Sequence, residues 1–361
     1  MSKREKVAVG MSGGLDSSVA AACLLDAGYE VQGVTLCLCD DAERRMTGIS
    51  IDRAHAVAEM LGIPHRYIDA RLLFEDRIIR PFVRDYIQGL TPSPCIHCNE
   101  FIKFGFLLER ARELGCDRIA TGHYVRSELR FDGWHLLRGL DRQKDQSYFL
   151  HRLTQAQLDA SLFPLGDVSR KGVEAYARDK GLPVSAGRSS QDLCFVQDEG
   201  YIPLIRKYYT ELPGKGHIRD GDGRVLGEHE GHYRYTVGQR KGLGIAVGEP
   251  MYVLEICPET NEVFVGTREQ GQQRLCRIRD IQWIQPERHK QDEYRLSVRI
   301  RYRHQAAPAR LRVQGTNRGE IEFDEPQFAV TPGQAAVFYN DEEVLGGGWI
   351  ECPHTHFAVD H

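Results

Sequence analysis

The chain has 361 residues, which at roughly 150 per domain suggests two to three domains; with 41% apolar and 27% charged residues it is neither disordered nor fibrous. No window approaches about 18 uninterrupted apolar residues, and the Met-Ser-Lys-Arg-Glu-Lys start lacks the apolar core of a signal peptide, so a cytoplasmic protein without a membrane span is expected. A net charge of −4 and a pI near 6.4 argue, as bulk properties, against a dedicated nucleic-acid binder, and ten cysteines in such a chain point to metal or redox chemistry and away from a disulfide framework.

Strands and helices alternate through the first 125 residues or so. Val7–Gly10 reads as a buried strand, followed by a glycine turn and an apolar-periodic helix over Ser17–Ala27. Then come a strand at Glu30–Leu38, a helix at Ser50–Leu61, a strand at Arg66–Asp69, helices at Leu72–Gly89 and Glu100–Gly115, and a strand at Asp117–Ala120. Gly28, Gly62 and Gly115 fall where helix C′ glycines belong. The alternation predicts an α/β fold, a doubly wound and mostly parallel sheet, with ligands beyond the carboxyl ends of its strands. Residues 140–205 read as mostly helical, with candidates at Thr154–Ser161 and Ser169–Lys180. Beyond about residue 210, Pro213-Gly214 and Gly221, Gly223, Gly231 and Gly242 punctuate short runs rich in Val, Ile, Tyr and Phe, which predicts two small β domains. Arg295–Arg303 alternates polar and apolar residues, as a half-buried strand does, and so places Arg299, Arg301 and Arg303 on one face.

The segment Gly10-Met11-Ser12-Gly13-Gly14-Leu15-Asp16-Ser17-Ser18 lies between a buried strand and a helix. Its glycines let backbone N–H groups approach an anion, the helix N-terminus adds the positive end of its dipole, the serines add hydroxyls, and Asp16 is a candidate Mg²⁺ ligand. It carries no Walker lysine, and its glycines are not spaced as in a dinucleotide fingerprint. It resembles the PP-loop of the ATP pyrophosphatase superfamily, and Ala120-Thr121-Gly122-His123-Tyr124 fits that superfamily's second nucleotide loop.

Thr91-Pro92-Ser93-Pro94-Cys95-Ile96-His97-Cys98-Asn99 reads as a rigid loop opening onto a helix, with Cys98 placed for its thiolate to be stabilised by the helix dipole. Its C-x-x-C spacing suits a redox pair, half a zinc site or an iron–sulfur ligand set. Cys194 sits in a polar, loop-like stretch near Arg188, whereas Cys23, Cys37, Cys39, Cys116, Cys257, Cys276 and Cys352 read as small buried hydrophobes, Cys37 and Cys39 on one strand face.

Along essentially its whole length the sequence resembles the bacterial tRNA-specific 2-thiouridylases. The blocks that carry this are GMSGGLDSS (10–18), TPSPCIHCNEFIKF (91–104), ATGHYVR (120–126), RGLDRQKDQSYFL (138–150), QDLCFV (191–196), PGKGHIRDGDGRVLGEH (213–229), YTVGQRKGLGI (235–245), RYRHQ (301–305) and TPGQAAVFY (331–339). The resemblance implies a PP-loop (adenine nucleotide alpha hydrolase-like) catalytic domain with a helical tRNA-contacting insertion over 1–205, a small central β domain over 206–275 and a barrel-like tRNA-binding domain over 276–361. It implies ATP and Mg²⁺, with nucleotide-binding positions at Gly10, Met11, Ser12, Gly13, Gly14, Leu15, Asp16, Ser17, Leu36 and Gly122. Cys98 and Cys194 would be the catalytic cysteines, Cys194 carrying a persulfide. Segments approaching the target base and tRNA would be Ser93-Pro94-Cys95 and Lys144-Asp145-Gln146, with further tRNA contacts at His123, Arg301-Tyr302 and Gln334. The implied partners are the lysine, glutamate and glutamine tRNAs and a sulfur donor, either a cysteine desulfurase or a relay protein; a monomer is the default.

One departure bears on mechanism. Many relatives carry an aspartate, a candidate proton-transfer group, where this chain has Cys95, so the loop offers a third thiol and His97 instead. Two routes therefore stand open: a persulfide route with a substituted base, or a [4Fe–4S] cluster on Cys95, Cys98 and Cys194. The segment Cys39–Ser50 also departs from the family's usual acidic, tryptophan-containing loop. From Arg268 to Arg318, 13 Lys/Arg face 5 Asp/Glu, a local +8 that suits phosphate contacts or a solvated β face. A PP-loop synthetase acting on a small molecule would leave the cysteines and these arginines idle, and a non-catalytic RNA-binding iron–sulfur protein would neither bind nor cleave ATP.

Overall fold

Val7, Ala8 and Val9 are fully enclosed, and a strand buried on both faces is what a parallel sheet covered by helices demands. In the computed structural model, which describes residues 4–39, 51–183, 193–196, 199–288 and 290–352, this strand, β1 (Lys6–Gly10), lies near the middle of a five-stranded sheet. Its companions are β2 (Glu30–Cys37), β3 (His65–Asp69) and β4 (Arg118–Ala120), then, past the hairpin strands β5 (Val125–Arg130) and β6 (Gly133–Arg138), β7 (Ser161–Leu162). The order is β3-β2-β1-β4-β7 and every pairing is parallel. The strand order reverses between β1 and β4, so the crevice at their carboxyl ends is the expected ligand position. The doubly wound expectation holds.

Two compact units make up the chain: Met1–Ile79 with Pro94–Gly200 and Glu342–Leu345, and Arg80–Ser93 with Tyr201–Asp341 and Gly346–His361. In the first, helix Leu15–Asp26 buries Val19, Ala20, Ala21 and Leu24 against Val7, Val9 and Val31, and each fully buried Val or Leu contributes about 1.5–3 kcal/mol. Gly28, Gly62 and Gly115 all take positive φ just past their helices, as expected. Helices Gln155–Asp159 and Arg170–Asp179 start at Thr154 and Ser169, whose side chains accept N–H bonds from Gln157 and Gly172; caps of this kind are worth about 1 kcal/mol each. The β5–β6 hairpin, to which Glu343 and Val344 add by pairing with Leu137 and Leu136, stands in a stretch where the sequence showed no clear alternation.

The expected helix over Leu72–Gly89 forms as Arg71–Phe74, a π-helical Glu75–Ile79 and Arg80–Ile87. The helix expected to begin at Glu100 begins six residues earlier: Pro94–His97 is α-helical, Cys98–Phe106 π-helical and Leu107–Glu113 α-helical. Pro94 fits the first helical turn because its missing N–H has no intrahelical acceptor there.

The second unit holds two β assemblies. Strands β8 (Gly216–Arg219), β9 (Val225–His229), β10 (Tyr252–Cys257) and β11 (Glu262–Gly266) form a sheet in the order β10-β11-β8-β9, around a core that includes Ile218, Val253, Val263 and Val265. Then β12 (Gln272–Trp283), β13 (Glu293–Arg299), β14 (Ala307–Gln314), β15 (Arg318–Phe328), β16 (Ala335–Asn340) and β17 (Glu343–Ile350) run in the order β12-β15-β14-β13-β16-β17, and Ile350 pairs with Ile278 to close the barrel. Closure removes the open edges that an isolated sheet would expose.

No helix among the described residues is long and apolar enough to cross a membrane.

Candidate active site

The loop after β1 is held before any ligand arrives. Met11 N–H donates to Val34 O at 2.8 Å, and Thr35 Oγ1 donates to Met11 O at 2.8 Å, fastening the loop to β2. Gly13 has φ 74°, a conformation that L side chains resist. Ser18 Oγ and Ser17 Oγ donate to Gly14 O at 2.8 and 3.2 Å, and the Ser12 and Ser17 hydroxyls lie 3.2 Å apart. The first-turn N–H groups of helix Leu15–Asp26 have no intrahelical acceptor, so this corner is an anion site by construction. Gly122 closes the other side: a Cβ there would lie 2.6 Å from the Asp16 carbonyl carbon and 2.8 Å from Ser17 N. The structure thus brings Gly10–Ser17 and Gly122 together, and half-buried Leu36 lies one residue before the end of the neighbouring strand β2.

Asp16, the candidate Mg²⁺ ligand, has one of its oxygens engaged by protein. Its Oδ1 accepts from Tyr124 OH at 2.8 Å and from Arg170 Nη1 at 2.7 Å. One carboxylate oxygen is therefore committed, and any cation would meet Oδ2. Gln146, expected near the target base, is tied to the same tyrosine: Tyr124 N–H donates to Gln146 Oε1 at 3.0 Å and Gln146 N–H to Tyr124 O at 3.1 Å. The Gln146 amide nitrogen meets no acceptor among the described residues. Asp145 is buried and accepts from Gly139 N–H, Ser147 N–H and Arg138 Nε at 3.1–3.2 Å, so it braces its own loop and presents nothing to a ligand. Lys144 stands beside it, half-buried.

The thiols stand in a different environment. Cys98 is not ahead of a helix N-terminus but one turn inside the helix that Pro94 opens, and burial pushes its thiol up, only partly countered by the Lys103 ammonium. The dipole-stabilised thiolate expected from the sequence is therefore corrected: desolvation wins. Cys95 is pushed up to about 11, first by burial and then by the Cys98 thiol. Cys194 is raised by surrounding protein and by repulsion from Cys98, Cys95 and Cys39; because the residue is exposed, water softens the first cause and the mutual repulsion is the firmer one. Cys95, Cys98 and Cys194 thus share one electrostatic neighbourhood. Cys39, expected to be an inert partner of Cys37 on a strand face, lies past the end of β2 and joins them. The flanking Arg188, Ser189–Asp192 and residues 40–50 lie outside the described residues.

His123 is buried between the two halves of the site. Lys103 Nζ donates to its Nε2 at 3.3 Å, which leaves Nδ1–H to donate to Thr121 Oγ1 at 2.8 Å. Burial, reinforced by Lys103, holds its pKa well below the ordinary value, so this expected tRNA contact presents a neutral and enclosed ring. His97, the other candidate base near Cys95, lies 3.7 Å from Glu100, which also accepts from Arg152 Nε at 2.9 Å. Lys103, Tyr124 and Arg170 were missed as site residues. Lys103 and Tyr124 lie within quoted motif blocks, whereas Arg170 carries no local pattern.

In the second unit, Gln334 Nε2 donates to Thr91 O at 2.9 Å and Pro92 O at 3.2 Å, fixing the chain directly before Ser93, Pro94 and Cys95. Strand β13 ends at Arg299, so Arg301 and Arg303 do not continue its alternation. Arg299 is buried, donates to His304 O at 3.0 Å and to Tyr302 O, and thereby shapes the turn that carries Arg301 and Tyr302. The local +8 is also reduced in effect: Arg277 pairs with Glu320, Arg295 with Asp324, and Arg310 and Arg312 with Glu293.

The donor sets differ in their fit to metals. Asp16 Oδ2 beside the phosphate corner suits a Mg²⁺ ion arriving with a nucleotide. For a cluster, among the described residues no group of three or more His, Cys, Asp or Glu stands at metal-holding geometry.

Comparison with known proteins gives matches along the whole chain. Residues 5–198 match the tRNA methyl transferase HUP domain, 204–267 the tRNA methyl transferase PRC-barrel domain and 273–350 the aminomethyltransferase beta-barrel domain. The tRNA-specific 2-thiouridylase MnmA of Geotalea uraniireducens is 46% identical over 371 residues, covering 99% of this chain and 98% of that protein. The protein of the same name from Trichormus variabilis is 46% identical over 353 residues, covering 96% and 99%. Among solved structures, the U34-tRNA thiolase NcsA from Methanococcus maripaludis with its [4Fe-4S] cluster aligns at TM-score 0.34 and 19% identity, over 56% of this chain and 62% of that one.

Proposed function

The chain belongs to the tRNA-specific 2-thiouridylase family, and from that premise we propose that it is a tRNA sulfurtransferase that replaces the C2 oxygen of the wobble uridine with sulfur at the expense of ATP. The observation that carries this reading is that Cys95, Cys98 and Cys194 share one electrostatic neighbourhood with Lys103, which bonds to His123 in the segment that closes on the phosphate corner at Gly122.

A uracil C2 oxygen is a poor leaving group. In the proposed reaction it attacks the α-phosphorus of ATP, pyrophosphate departs, and the oxygen leaves later as part of AMP. The N–H groups of Gly13 to Asp16 and the helix dipole stabilise the charge on the phosphates. A Mg²⁺ ion at Asp16 Oδ2 would supply further charge neutralisation when bound. The terminal sulfur of a Cys194 persulfide then attacks C2 and expels AMP. Cys98 gives up its proton to solvent and attacks Cys194 Sγ; the S–S bond breaks, its electron pair stays on the sulfur already bonded to C2 and makes it the thiocarbonyl sulfur, and a Cys98–Cys194 disulfide remains, to be reduced by a dithiol. The target base must leave the anticodon stack to reach this site. Gln146, with its carbonyl pinned to Tyr124, has its amide N–H₂ left to meet a base edge.

Gly10–Ser17, Leu36 and Gly122 form the proposed nucleotide site, and Ser93–Cys95, Lys144, Gln146, Arg301, Tyr302 and Gln334 the proposed tRNA side, the last through the Thr91–Pro92 backbone. Asp145 and His123 support these groups from within. The division into 1–205, 206–275 and 276–361 is proposed to follow the three family matches. No step is routed through an iron–sulfur cluster. A cysteine desulfurase or relay protein supplies the persulfide sulfur, and the lysine, glutamate and glutamine tRNAs are the proposed substrates of a cytoplasmic monomer.

The test is mass spectrometry of tRNA nucleosides after incubation with ATP and a sulfur source. Wild-type protein should yield 2-thiouridine, whereas Cys98→Ala and Cys194→Ala should yield none while still binding ATP. Thiolation surviving both changes would sink the persulfide route.

A further inference from the structure

Asp16 has two donors on the same oxygen, and the more strongly held of them has no place in the mechanism so far. Arg170 opens the helix Arg170–Asp179, and its guanidinium reaches across to Asp16 Oδ1 at 2.7 Å through Nη1 while Nε donates to Glu174 Oε1 at 2.8 Å. Its backbone N–H donates to Asp141 Oδ2 at 2.9 Å, so the residue is fixed at three points. Tyr124 OH adds the second bond to Oδ1 at 2.8 Å. The Asp16 and Arg170 side chains are each only about a quarter exposed or less, at 23% and 22%. No partner for Asp16 Oδ2 stands among the described residues.

A carboxylate on the first turn of a helix has several staggered rotamers, and an unrestrained one would sweep both oxygens past the phosphate corner. Pinning one oxygen with a guanidinium that Glu174 itself holds, and with a phenol, fixes which oxygen is left for a cation. We propose that Arg170 is a positioning residue of the nucleotide site: it holds Asp16 in the single rotamer that presents Oδ2 toward the metal-bound triphosphate, with Tyr124 as its second support. This deepens the reading of the chain as an ATP-dependent thiolase and rests on it. Because Tyr124 is also bonded to Gln146 through both backbone groups, the carboxylate is referenced to the base-side loop as well as to its own helix.

The geometry fixes the expected order of variants. Arg170→Met removes the charge and both bonds. Arg170→Lys can reach Asp16 but cannot hold Glu174 at the same time, so it should recover part of the loss. Tyr124→Phe deletes one hydroxyl and keeps the ring.

The experiment measures ATP affinity by calorimetry at a series of Mg²⁺ concentrations, together with thermal midpoints and tRNA binding by filter retention. Arg170→Met should weaken ATP binding about tenfold in the presence of Mg²⁺ while changing binding of metal-free ATP less than twofold, with tRNA binding unchanged. Arg170→Lys should fall between it and wild type, and Tyr124→Phe should lose about threefold. If Arg170→Met weakens ATP binding equally with and without Mg²⁺, or lowers only the thermal midpoint, Arg170 acts as a packing residue and the proposal is overturned. Absence of ATP binding by the wild-type protein would instead overturn the functional reading itself, independently of Arg170.

Discussion

The phosphate loop and the thiols are linked through Lys103 and His123, yet they wait in opposite states. The loop is finished before its ligand arrives: hydroxyls face the Gly14 carbonyl, Gly13 supplies the left-handed turn, and Asp16 is gripped by Arg170 and Tyr124. The thiols are held protonated, Cys95 and Cys98 by burial and Cys194 by its neighbours as well. A phosphate site gains from being preorganised, because rigid dipoles cost nothing to reorient when charge arrives. Reactive sulfur left ionised in a resting enzyme would be oxidised or alkylated. The difference teaches that one half of the site is built for binding and the other for restraint until tRNA and ATP are in place.

The sharpest way to break the preorganised half is a methyl group. Gly122→Ala places a Cβ 2.6 Å from the Asp16 carbonyl carbon and 2.8 Å from Ser17 N, both backbone atoms that cannot swing aside. Overpacking of this kind costs about 1–3 kcal/mol, so ATP binding should weaken by roughly five- to a hundred-and-fiftyfold if that cost falls on the bound loop. Calorimetric titration with ATP is the check, and thiol alkylation rates should be unaffected. Unchanged ATP affinity would mean that the loop can relax, which is incompatible with a finished site.

The restrained half is tested by pH. A thiol whose folded pKa stands above its ordinary 9.0 stays protonated through neutrality; its burial stabilises the fold fully below that ordinary value, and the stabilisation is lost as pH rises through the folded value. Alkylation of Cys95 by iodoacetamide, followed site by site by mass spectrometry, should therefore climb about tenfold per pH unit from pH 7 without levelling before about 10. A plateau below pH 8 would indicate a stabilised thiolate, the state that the sequence led one to expect of the neighbouring Cys98 ahead of a helix N-terminus.

How much of this the sequence revealed follows from the range over which each feature is determined. The parallel sheet and phosphate corner are local: a buried Val-Ala-Val strand, glycines and a helix start lie within 20 residues, and the periodicity found them. The thiol chemistry was misjudged because pKa depends on burial, and whether Cys98 stands before or inside a helix turned on Pro94 acting as a helix starter, not as a loop former. Arg170 was invisible for a related reason: it reaches Asp16 across 154 positions, and nothing in its own neighbourhood marks it. Arg299 to Arg303 misled because alternation does not show where a strand stops.

That last misreading yields the smallest and most discriminating test, since Arg299 and Arg301 are two residues apart and should now fail differently. Arg299 is buried, and its guanidinium satisfies the Tyr302 and His304 carbonyls while lying 5.9 and 5.8 Å from the Tyr302 and Tyr339 ring centres. Arg301 is half-buried in the turn that Arg299 shapes. Arg301→Ala should lower tRNA affinity a few-fold, alike across tRNAs, and reduce the slope of log affinity against log salt by about one counterion. Arg299→Ala leaves two carbonyls without their donor, at about 1–3 kcal/mol, and should lower the thermal midpoint. It should weaken tRNA binding only by disordering the turn, with the salt slope falling no further than in Arg301→Ala. Equal thermal losses for the two variants, with no change in salt slope for either, would return both arginines to the solvated β face and leave tRNA recognition to the loop that carries Lys144 and Gln146.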